Sequence, residues 1–511
     1  MKTALTCLAL VLTLATTACH RTARTAESVA ATAIAWREGD VDDALIEAKE
    51  SAKPIILYWG AKWCPPCNQL KSTLFKNPSF IAETRNFVPV YLDGDSPGAQ
   101  RRGERFGISG YPTVIVLRAD GSEITRLSSS VTADKFAETL RVAAGRTAPV
   151  EQVFAVAEKN PASLSGDDWR LLGDFDWQND PRHFADRKRA TALLGRLAVA
   201  APDDALKHRF ALLGLVVGAD KGADGKTSLG PAQQDELVRT LPAILAKPAE
   251  VTADRQELSY SAGALIASLP DAARRAGLGS SLIAALDRVY ADASLPIPDR
   301  LQTVAADIAL AKAAGGTVSP KVLAKVRTRT AWADQISRDP MVRQSVISNA
   351  AELLHDAGDD AGAKHMLESE LTRSAWPYYY MLDLASIAED EKDSKAAIGW
   401  AKKAYETAQG PATRIQWAIE YSKTVLRQAP DDKSAVESSA DAVIAELARN
   451  PGSYFQRTRV KVGVWGGLLH DWSGKHDGDA VLARLEQKMQ PVCARQGQEQ
   501  AICRNWLISH S

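Results

Sequence analysis

The sequence predicts an α/β domain near the N-terminus followed by a large all-α region. The chain has 511 residues, enough for about two to four domains. Residues 27–148 alternate short apolar runs with helical stretches, as a sheet covered by helices does. Residues 149–511 show no alternating strand pattern and are rich in Ala, which favours helices. We therefore divide the chain into segments 1–18, 27–148, 149–340 and 341–511.

The composition argues against binding of nucleic acids or anionic membranes by bulk charge. The 62 Lys and Arg residues are balanced by 62 Asp and Glu residues, so the formal net charge is zero. A balanced chain lacks the positive field that draws proteins to nucleic acids or anionic membranes. The hydrophobic fraction of 45% supplies buried cores and argues against wholesale disorder. We expect a globular protein that does not bind nucleic acid.

Residues 1–18 have the pattern of a secretory signal. Lys2 precedes an apolar run from Ala4 to Leu14, and small residues follow up to Ala18. The run is too short for a membrane span, and no later stretch has about 18 consecutive apolar residues. We expect export to the periplasm. A small residue before Cys19 resembles the bacterial lipoprotein cleavage box, so either Cys19 carries a lipid anchor, which we favour, or ordinary cleavage near Ala18 releases a soluble product.

The elements of segment 27–148 follow from local patterns. A continuously apolar run predicts a central strand, and the hairpin turn Ala119–Ser122 joins two later strands. Thr132 is expected to cap a closing helix. The predicted strands are 55–59, 87–92, 113–117 and 124–127. The predicted helices are one capped by Asp40 and running through Lys49, one after Cys67, 100–106 and one from 132 onwards.

A cysteine pair lies where the first strand meets the next helix. Cys64 precedes Pro65, which suits the first helical position, so its sulfur faces unpaired backbone N–H groups and the positive end of the helix dipole. This environment stabilises the thiolate and lowers its pKa. We predict that Cys64 is the exposed, attacking cysteine and that Cys67, one turn later, is the buried resolving cysteine.

Residues from about 34 to 145 resemble the thioredoxin family, especially its exported thioredoxin-like domains. The resemblance lies in the strand that ends before the motif Trp63–Cys67 and in the stretch Phe106–Val114. It implies that Pro112 follows a cis peptide bond and that the backbone at Tyr111 pairs with a bound substrate peptide. It also implies that Trp63 shields the nucleophile. No cofactor other than a redox-active Cys64–Cys67 disulfide is implied.

The sequence departs from thioredoxin at one position. Thioredoxin carries a buried acid six residues before the first cysteine, and here that position is Tyr58. Proton transfer must then involve Tyr58, Lys62, water or another residue. Reduction potentials in this family span roughly −270 to −120 mV, so reductase, oxidase and isomerase all remain open. A permanent disulfide or a zinc half-site is the alternative, but no second cysteine or histidine pair lies nearby.

The helical region contains a possible repeat of 34 residues. Ala351 and Ala363 recur as Ala385 and Ala397. This is the tetratricopeptide period, in which paired helices cross at small residues, and arrays of such pairs expose a concave surface that binds partners. The region also has a set of aromatic residues, which we interpret as filling the core between repeats: Trp376, Tyr378, Tyr379, Tyr380, Trp400 and Trp417.

The remaining motifs give little further chemistry. Cys493 and Cys503 flank a short polar stretch, and in an exported chain they are interpreted as a structural disulfide. A second redox pair is a weaker alternative. The eight histidines are dispersed, so we predict no metal site.

Two hypotheses of function follow. The first is a cell-envelope thiol–disulfide oxidoreductase that acts on protein thiols and disulfides, exchanges electrons with an unidentified donor or acceptor, and uses its helical region to bind partners. The second is a non-catalytic interaction scaffold in which the thioredoxin-like domain is a docking module. Under the first hypothesis, residues 27–148 are expected to fold and exchange disulfides alone.

Overall fold

The computed structural model describes residues 33–39, 41–127, 132–146, 148–222 and 225–506. The signal segment 1–18 and the lipidation candidate Cys19 lie outside the described residues. The N-terminal part is built on a five-stranded sheet with the order β1-β3-β2-β4-β5. Strands β1, β3 and β2 pair in parallel, whereas β4 pairs antiparallel with both β2 and β5. The predicted fold class, an α/β domain followed by a helical region, is confirmed.

The elements of the N-terminal domain lie close to the predicted ones. Two were not predicted: β1 has only two residues, and α3 follows a short 3-10 turn. The bounds are β1 Arg37–Glu38, α1 Val41–Ser51, β2 Ile55–Gly60, α2 Pro65–Ser72, α3 Pro78–Thr84, β3 Val88–Asp93, α4 Ala99–Arg105, β4 Thr113–Leu117, β5 Glu123–Leu127 and α5 Ala133–Ala144.

Strand β2 occupies the centre of the sheet. All six of its residues are buried, as expected for an apolar strand covered on both faces. It pairs in parallel with β3 and antiparallel with β4, so that Gly60 lies opposite Asp93 and Trp59 opposite Thr113. The chain leaves β2 at Gly60 and enters α2 at Pro65. The centre of the sheet therefore positions the cysteine motif.

The second part of the chain is a succession of packed helices. Its bounds are α6 Val150–Lys159, α7 Gly166–Gly173, α8 Arg187–Ala200, α9 Asp204–Gly218, α10 Pro231–Leu245, α11 Pro248–Ala253, α12 Arg255–Tyr260, α13 Ala262–Ala267, α14 Ala272–Ala291, α15 Ile297–Leu301, α16 Ala305–Gly315, α17 Pro320–Ile336, α18 Pro340–Asp356, α19 Asp360–Glu370, α20 Pro377–Asp390, α21 Ser394–Thr407, α22 Pro411–Gln428, α23 Lys433–Arg449, α24 Gln456–Lys475, α25 Asp479–Ala494 and α26 Gln500–Arg504. Two short strands, β6 Asp220–Lys221 and β7 Thr227–Ser228, form a hairpin after α9.

Helices α19 to α22 follow the 34-residue period. Helix α19 begins at Asp360 and α21 at Ser394, and α20 begins at Pro377 and α22 at Pro411. Consecutive helices pack against each other, with buried alanines where they meet. The assignment to the tetratricopeptide class itself stays a prediction. Among the described residues, no helix has both the length and the apolar character needed to cross a membrane.

The two parts of the molecule share buried structure at the edge strand β5. Arg126 on β5 is buried and pairs with Glu123 at 3.1 Å and with Asp180, after α7, at 3.8 Å. The backbone N–H of Asp176 also donates to the Arg126 carbonyl at 2.9 Å. Buried charges are stable only when they are paired. The boundary near residue 148 therefore separates two architectures but not two independent cores.

Replacing Arg126 should destabilise the whole chain. Arg126→Met removes the buried cation between Glu123 and Asp180, which then keep the weaker Arg182 contact at 3.6 Å and the His183 ring as partners. We therefore expect the free energy of unfolding to fall by about 3 kcal/mol. Urea unfolding followed by circular dichroism measures the change. The control is Arg118→Met, because Arg118 makes a more exposed ion pair on the β4–β5 turn and should cost less than about 1 kcal/mol. Equal effects of the two variants would contradict a shared buried network.

Candidate functional site: a disulfide at the start of a helix

The cysteine pair lies at the N-terminus of α2. Cys64 is the N-cap residue, and Pro65 occupies the first helical turn. The Cys67 backbone N–H donates to the Cys64 sulfur at 3.2 Å. Cys64 and Cys67 are joined by a disulfide, with their Cα atoms 5.2 Å apart. In the reduced protein the same N–H and the helix dipole would stabilise a thiolate at Cys64, since both favour negative charge at this position.

The loop before β4 brings Tyr111 to the motif. The Tyr111–Pro112 peptide bond is cis. The Tyr111 ring meets Trp63 edge-on, with ring centroids 6.0 Å apart, and its hydroxyl accepts a hydrogen bond from Gln100. This hydroxyl lies over Gly94, where an added Cβ would come within 2.2 Å of it. A glycine at 94 therefore lets the tyrosine pack beside the residue that precedes the cysteine pair.

Tyr58 cannot accept a proton as a buried carboxylate at this position would. Tyr58 is buried, its hydroxyl has no hydrogen-bond partner, and burial raises its pKa well above the usual value. It stays protonated at neutral pH and cannot take a proton from Cys67. The Lys71 ammonium lies 5.1 Å from the centre of the Tyr91 ring, and burial lowers its pKa. Lys71 follows Cys67 by four residues and so shares its face of α2, whereas Lys62 is exposed before the motif.

The expectation that Cys64 is exposed is wrong. Only 3% of Cys64 and 7% of Trp63 is accessible, and Cys67 is fully buried. The reason is that helices α18, α20 and α22 pack over the start of α2. The motif and these helices share one apolar cluster, which includes Tyr378, Met381 and Trp417. Position at a helix start determines the polarity around Cys64, but helices far away in the sequence determine its exposure.

Three polar side chains of the helical region bind Trp63 or the first turns of α2. The Gln344 amide donates to the Trp63 carbonyl at 2.6 Å and accepts from the Asn68 amide at 2.7 Å, so it contacts the chain on both sides of the cysteine pair. Thr413 accepts a hydrogen bond from the Trp63 indole nitrogen at 2.5 Å. Asp299 accepts a hydrogen bond from Gln69 at 2.9 Å. Sequence analysis identified none of these residues, since no local pattern marks them.

Aromatic side chains complete the layer over the motif. Trp63 lies edge-on to Trp417 at 4.9 Å and stacks on Tyr379 at 6.1 Å between ring centroids. The interpretation of Trp417 and Tyr379 as filling between helices holds only in part: Trp417 packs edge-on to Tyr378 at 5.4 Å, but both residues also contact Trp63. They pack against the α/β domain, because α20 and α22 turn these residues toward it. Tyr380 does lie in a cluster made by helices of the second region, as expected.

Asp95 connects the α/β domain to the start of α22. Its carboxylate accepts hydrogen bonds from the Thr413 backbone N–H at 2.8 Å and from the Thr413 hydroxyl at 2.5 Å. Burial raises the pKa of Asp95, although both bonds from Thr413 oppose the shift. Asp95 therefore caps a helix that begins more than 300 residues later in the chain.

The second cysteine pair lies in another core. Cys493 and Cys503 form a disulfide with an S–S distance of 2.00 Å, and both residues are buried. They pack in the cluster that contains Trp465 and Trp506. In the described part of the chain, no group of three or more His, Cys, Asp or Glu side chains is arranged to hold a metal ion.

Comparison with known proteins agrees with this site. A family model described as a thioredoxin-like domain matches residues 41–144. The thiol:disulfide interchange protein DsbD 1 of Pseudomonas aeruginosa is 29% identical over 110 residues, which are 21% of this chain and 19% of that protein. DsbD of Neisseria meningitidis is 31% identical over 100 residues, 19% of this chain and 16% of that protein. The match thus spans less than a fifth of the length of these relatives.

A solved structure was also found. The solution structure of a thioredoxin from Thermus thermophilus covers 21% of this chain and 86% of its own, with 24% identity and a TM-score of 0.20. The family match at residues 41–144 by itself confirms the predicted thioredoxin-like domain.

The layer over the motif should respond to pH through Asp383 on α20. Burial raises the pKa of this carboxyl to about 7, and the Ser348 hydroxyl on α18 donates a hydrogen bond to it at 3.1 Å. The folded chain binds this proton more tightly than the unfolded chain does, whose Asp pKa is about 4. The protein is therefore expected to lose stability as pH rises from about 4 to about 7.

Asp383→Asn should remove this loss. We expect the difference between the thermal midpoints, variant minus unaltered protein, to increase from pH 5 to pH 8. Differential scanning calorimetry at several pH values measures it. Glu486→Gln, an exposed carboxylate on α25, is the control and should show a constant difference. A constant difference for Asp383→Asn as well would refute the assignment.

Proposed function

We propose that this chain, which carries a thioredoxin-like domain at residues 41–144, is a thiol–disulfide oxidoreductase of the cell envelope. The observation that carries the proposal is the position of Cys64 at the start of α2, with the Cys67 N–H directed at its sulfur. A thiolate there is stabilised without any other cofactor. The relatives that match residues of this domain are themselves named thiol:disulfide interchange proteins.

The exchange proceeds in two steps. In the reducing direction, the Cys64 thiolate attacks one sulfur of a partner disulfide, forms a mixed disulfide and releases the partner's other sulfur as a thiolate. The Cys67 thiolate then attacks the Cys64 sulfur, which restores the Cys64–Cys67 disulfide and releases the second partner thiolate. Two electrons pass to the partner, and the two protons lost from Cys64 and Cys67 balance those gained by its thiols. The oxidising direction is the reverse.

The proposed partners are proteins. Protein thiols and disulfides are the substrates, and another dithiol or disulfide protein supplies or removes the electrons. We place the protein in the periplasm, with a lipid on Cys19 as its link to the membrane. Trp63, Tyr111 and Pro112 would contact the substrate, and the helical region would select it.

A second candidate function is favoured by the burial of Cys64. A non-catalytic scaffold would keep the Cys64–Cys67 disulfide as a permanent link beneath its helices. The reduction potential separates the two candidates, because structural disulfides commonly have potentials below about −300 mV, whereas oxidoreductases of this type range from about −270 to −120 mV. Equilibration of the full chain with dithiol and disulfide buffers, followed by mass spectrometry of the alkylated cysteines, measures this potential.

Removing the resolving cysteine should trap partners on Cys64. Cys67→Ala leaves the mixed disulfide without an internal attacking thiol, so we expect covalent adducts that disappear under reducing conditions. Non-reducing electrophoresis of the variant, expressed with its own signal segment, detects these adducts. Cys64→Ala is the matched control and should trap far fewer. Similar trapping by both variants would contradict the roles assigned to the two cysteines.

A further inference from the structure

Four residues of the helical region lie against Trp63, the residue before Cys64: Gln344, Tyr379, Thr413 and Trp417. We call them the cover. We propose that the cover keeps protein disulfides away from Cys64, and that it must separate from the thioredoxin-like domain before exchange begins. The Thr413 contact holds it closed. This inference rests on the proposed function, because it concerns access to the same cysteine.

Disulfide exchange needs direct contact between sulfurs. The attacking or attacked partner sulfur must approach the Cys64 sulfur, and the rate depends on access as well as on thiolate content. Cys64 is 3% accessible and lies in a cluster with Met381, Ala404 and Trp417 from the helical region. A folded or unfolded polypeptide therefore has no room to present a disulfide while the cover is in place.

The contacts at Thr413 are suited to opening. Its hydroxyl accepts from the Trp63 indole and donates to Asp95, and its backbone N–H donates to the other Asp95 oxygen. The approach is close, because an added Cβ at Gly410 would lie 2.4 Å from the Asp95 carboxyl carbon. Each of these hydrogen bonds can be replaced by one to water, so the polar contacts add little to the cost of opening. The main cost is exposure of the apolar cluster around Trp417, which a partner must offset.

Gln344 holds the cover at a second point. Its amide bonds both the Trp63 carbonyl and the Asn68 side chain, which in turn donates to the Lys62 carbonyl at 3.1 Å. These contacts are also polar and buried. Separation of the cover would release the Trp63 carbonyl from Gln344 and the Trp63 side chain from Thr413 at the same time.

The uncovered surface indicates what kind of partner can replace the cover. It would present the apolar ring of Trp63 beside the Asp95 carboxylate, with Tyr111 edge-on to Trp63 and still covered by Arg457 at 5.1 Å. A polypeptide with apolar side chains near its disulfide, and with a free backbone N–H or hydroxyl for Asp95, reproduces the chemistry of Thr413 and Trp417. An acidic segment would be repelled by Asp95. Such a partner offsets the cost of separating the cover.

The variant Thr413→Val tests the proposal in the full chain. Valine keeps the shape but removes the hydroxyl that accepts from Trp63 Nε1 and donates to Asp95, so the closed form loses two hydrogen bonds and is disfavoured. Thr424→Val is the matched control, since Thr424 is buried in the same helix and its hydroxyl contacts Arg427 in that helix. Two rates are measured for each protein: insulin reduction with dithiothreitol as donor, and maleimide labelling of Cys64 in the Cys67→Ala background, located by mass spectrometry.

We expect Thr413→Val to increase both rates about tenfold relative to the protein with an unaltered cover. Thr424→Val should leave both rates within about twofold of that protein. Equal rates for all three proteins would overturn the cover proposal. If Thr413→Val fails to fold, Gln344→Met decides by the same criterion, with Gln416→Met as its control, because Gln416 is buried in α22 and its side-chain nitrogen has no hydrogen-bond partner.

The two readouts also separate this proposal from the proposed function. Labelling of Cys64 reports access alone and needs no redox activity. Faster labelling without any insulin reduction would support the cover and refute the oxidoreductase. Insulin reduction at equal rates in every variant would support the oxidoreductase and refute the cover.

Discussion

Access to the redox pair depends on the contacts that Trp63 makes with the helical region. Its indole nitrogen bonds Thr413, its carbonyl bonds Gln344, and its ring packs against Trp417. Because Trp63 immediately precedes Cys64, any movement of these helices changes the surroundings of the sulfur. The chemistry of the pair and the packing of the helical region therefore cannot be separated.

A reactive cysteine needs a stabilised thiolate and an accessible sulfur. In this chain the two depend on residues at different distances along the sequence. Stabilisation of a thiolate is local, since it comes from the first turn of α2 and the Cys67 N–H. Accessibility is not local, since it is determined by α18, α20 and α22. A chain can thus keep an intrinsically reactive thiol and still control when that thiol meets a partner. Burial of Asp95 and Asp383 in the same region adds a dependence on protonation.

The parts of the molecule that the sequence predicted are those coded by neighbouring residues. Strand β4 has the predicted bounds, and Thr132 caps α5 through the Lys135 N–H, because alternation, turns and caps are properties of a few consecutive residues. The burial of Cys64 could not be predicted in this way. Gln344 and Thr413 are 276 and 350 positions from Asn68 and Trp63, the residues that they bind. An aromatic residue such as Trp417 looks the same in the sequence whether it faces a repeat or another domain.

The order of these elements along the chain has a consequence for biosynthesis. Residues 33–146, with both cysteines, are complete before α18 begins at Pro340, and α22 follows only at Pro411. Contacts between residues so far apart form late, because the intervening chain must first be made and ordered. The newly made cysteine pair therefore passes through a period in which nothing shields it. The order of the elements thus exposes the sulfurs to solvent thiols and disulfides before α18 and α22 are in place.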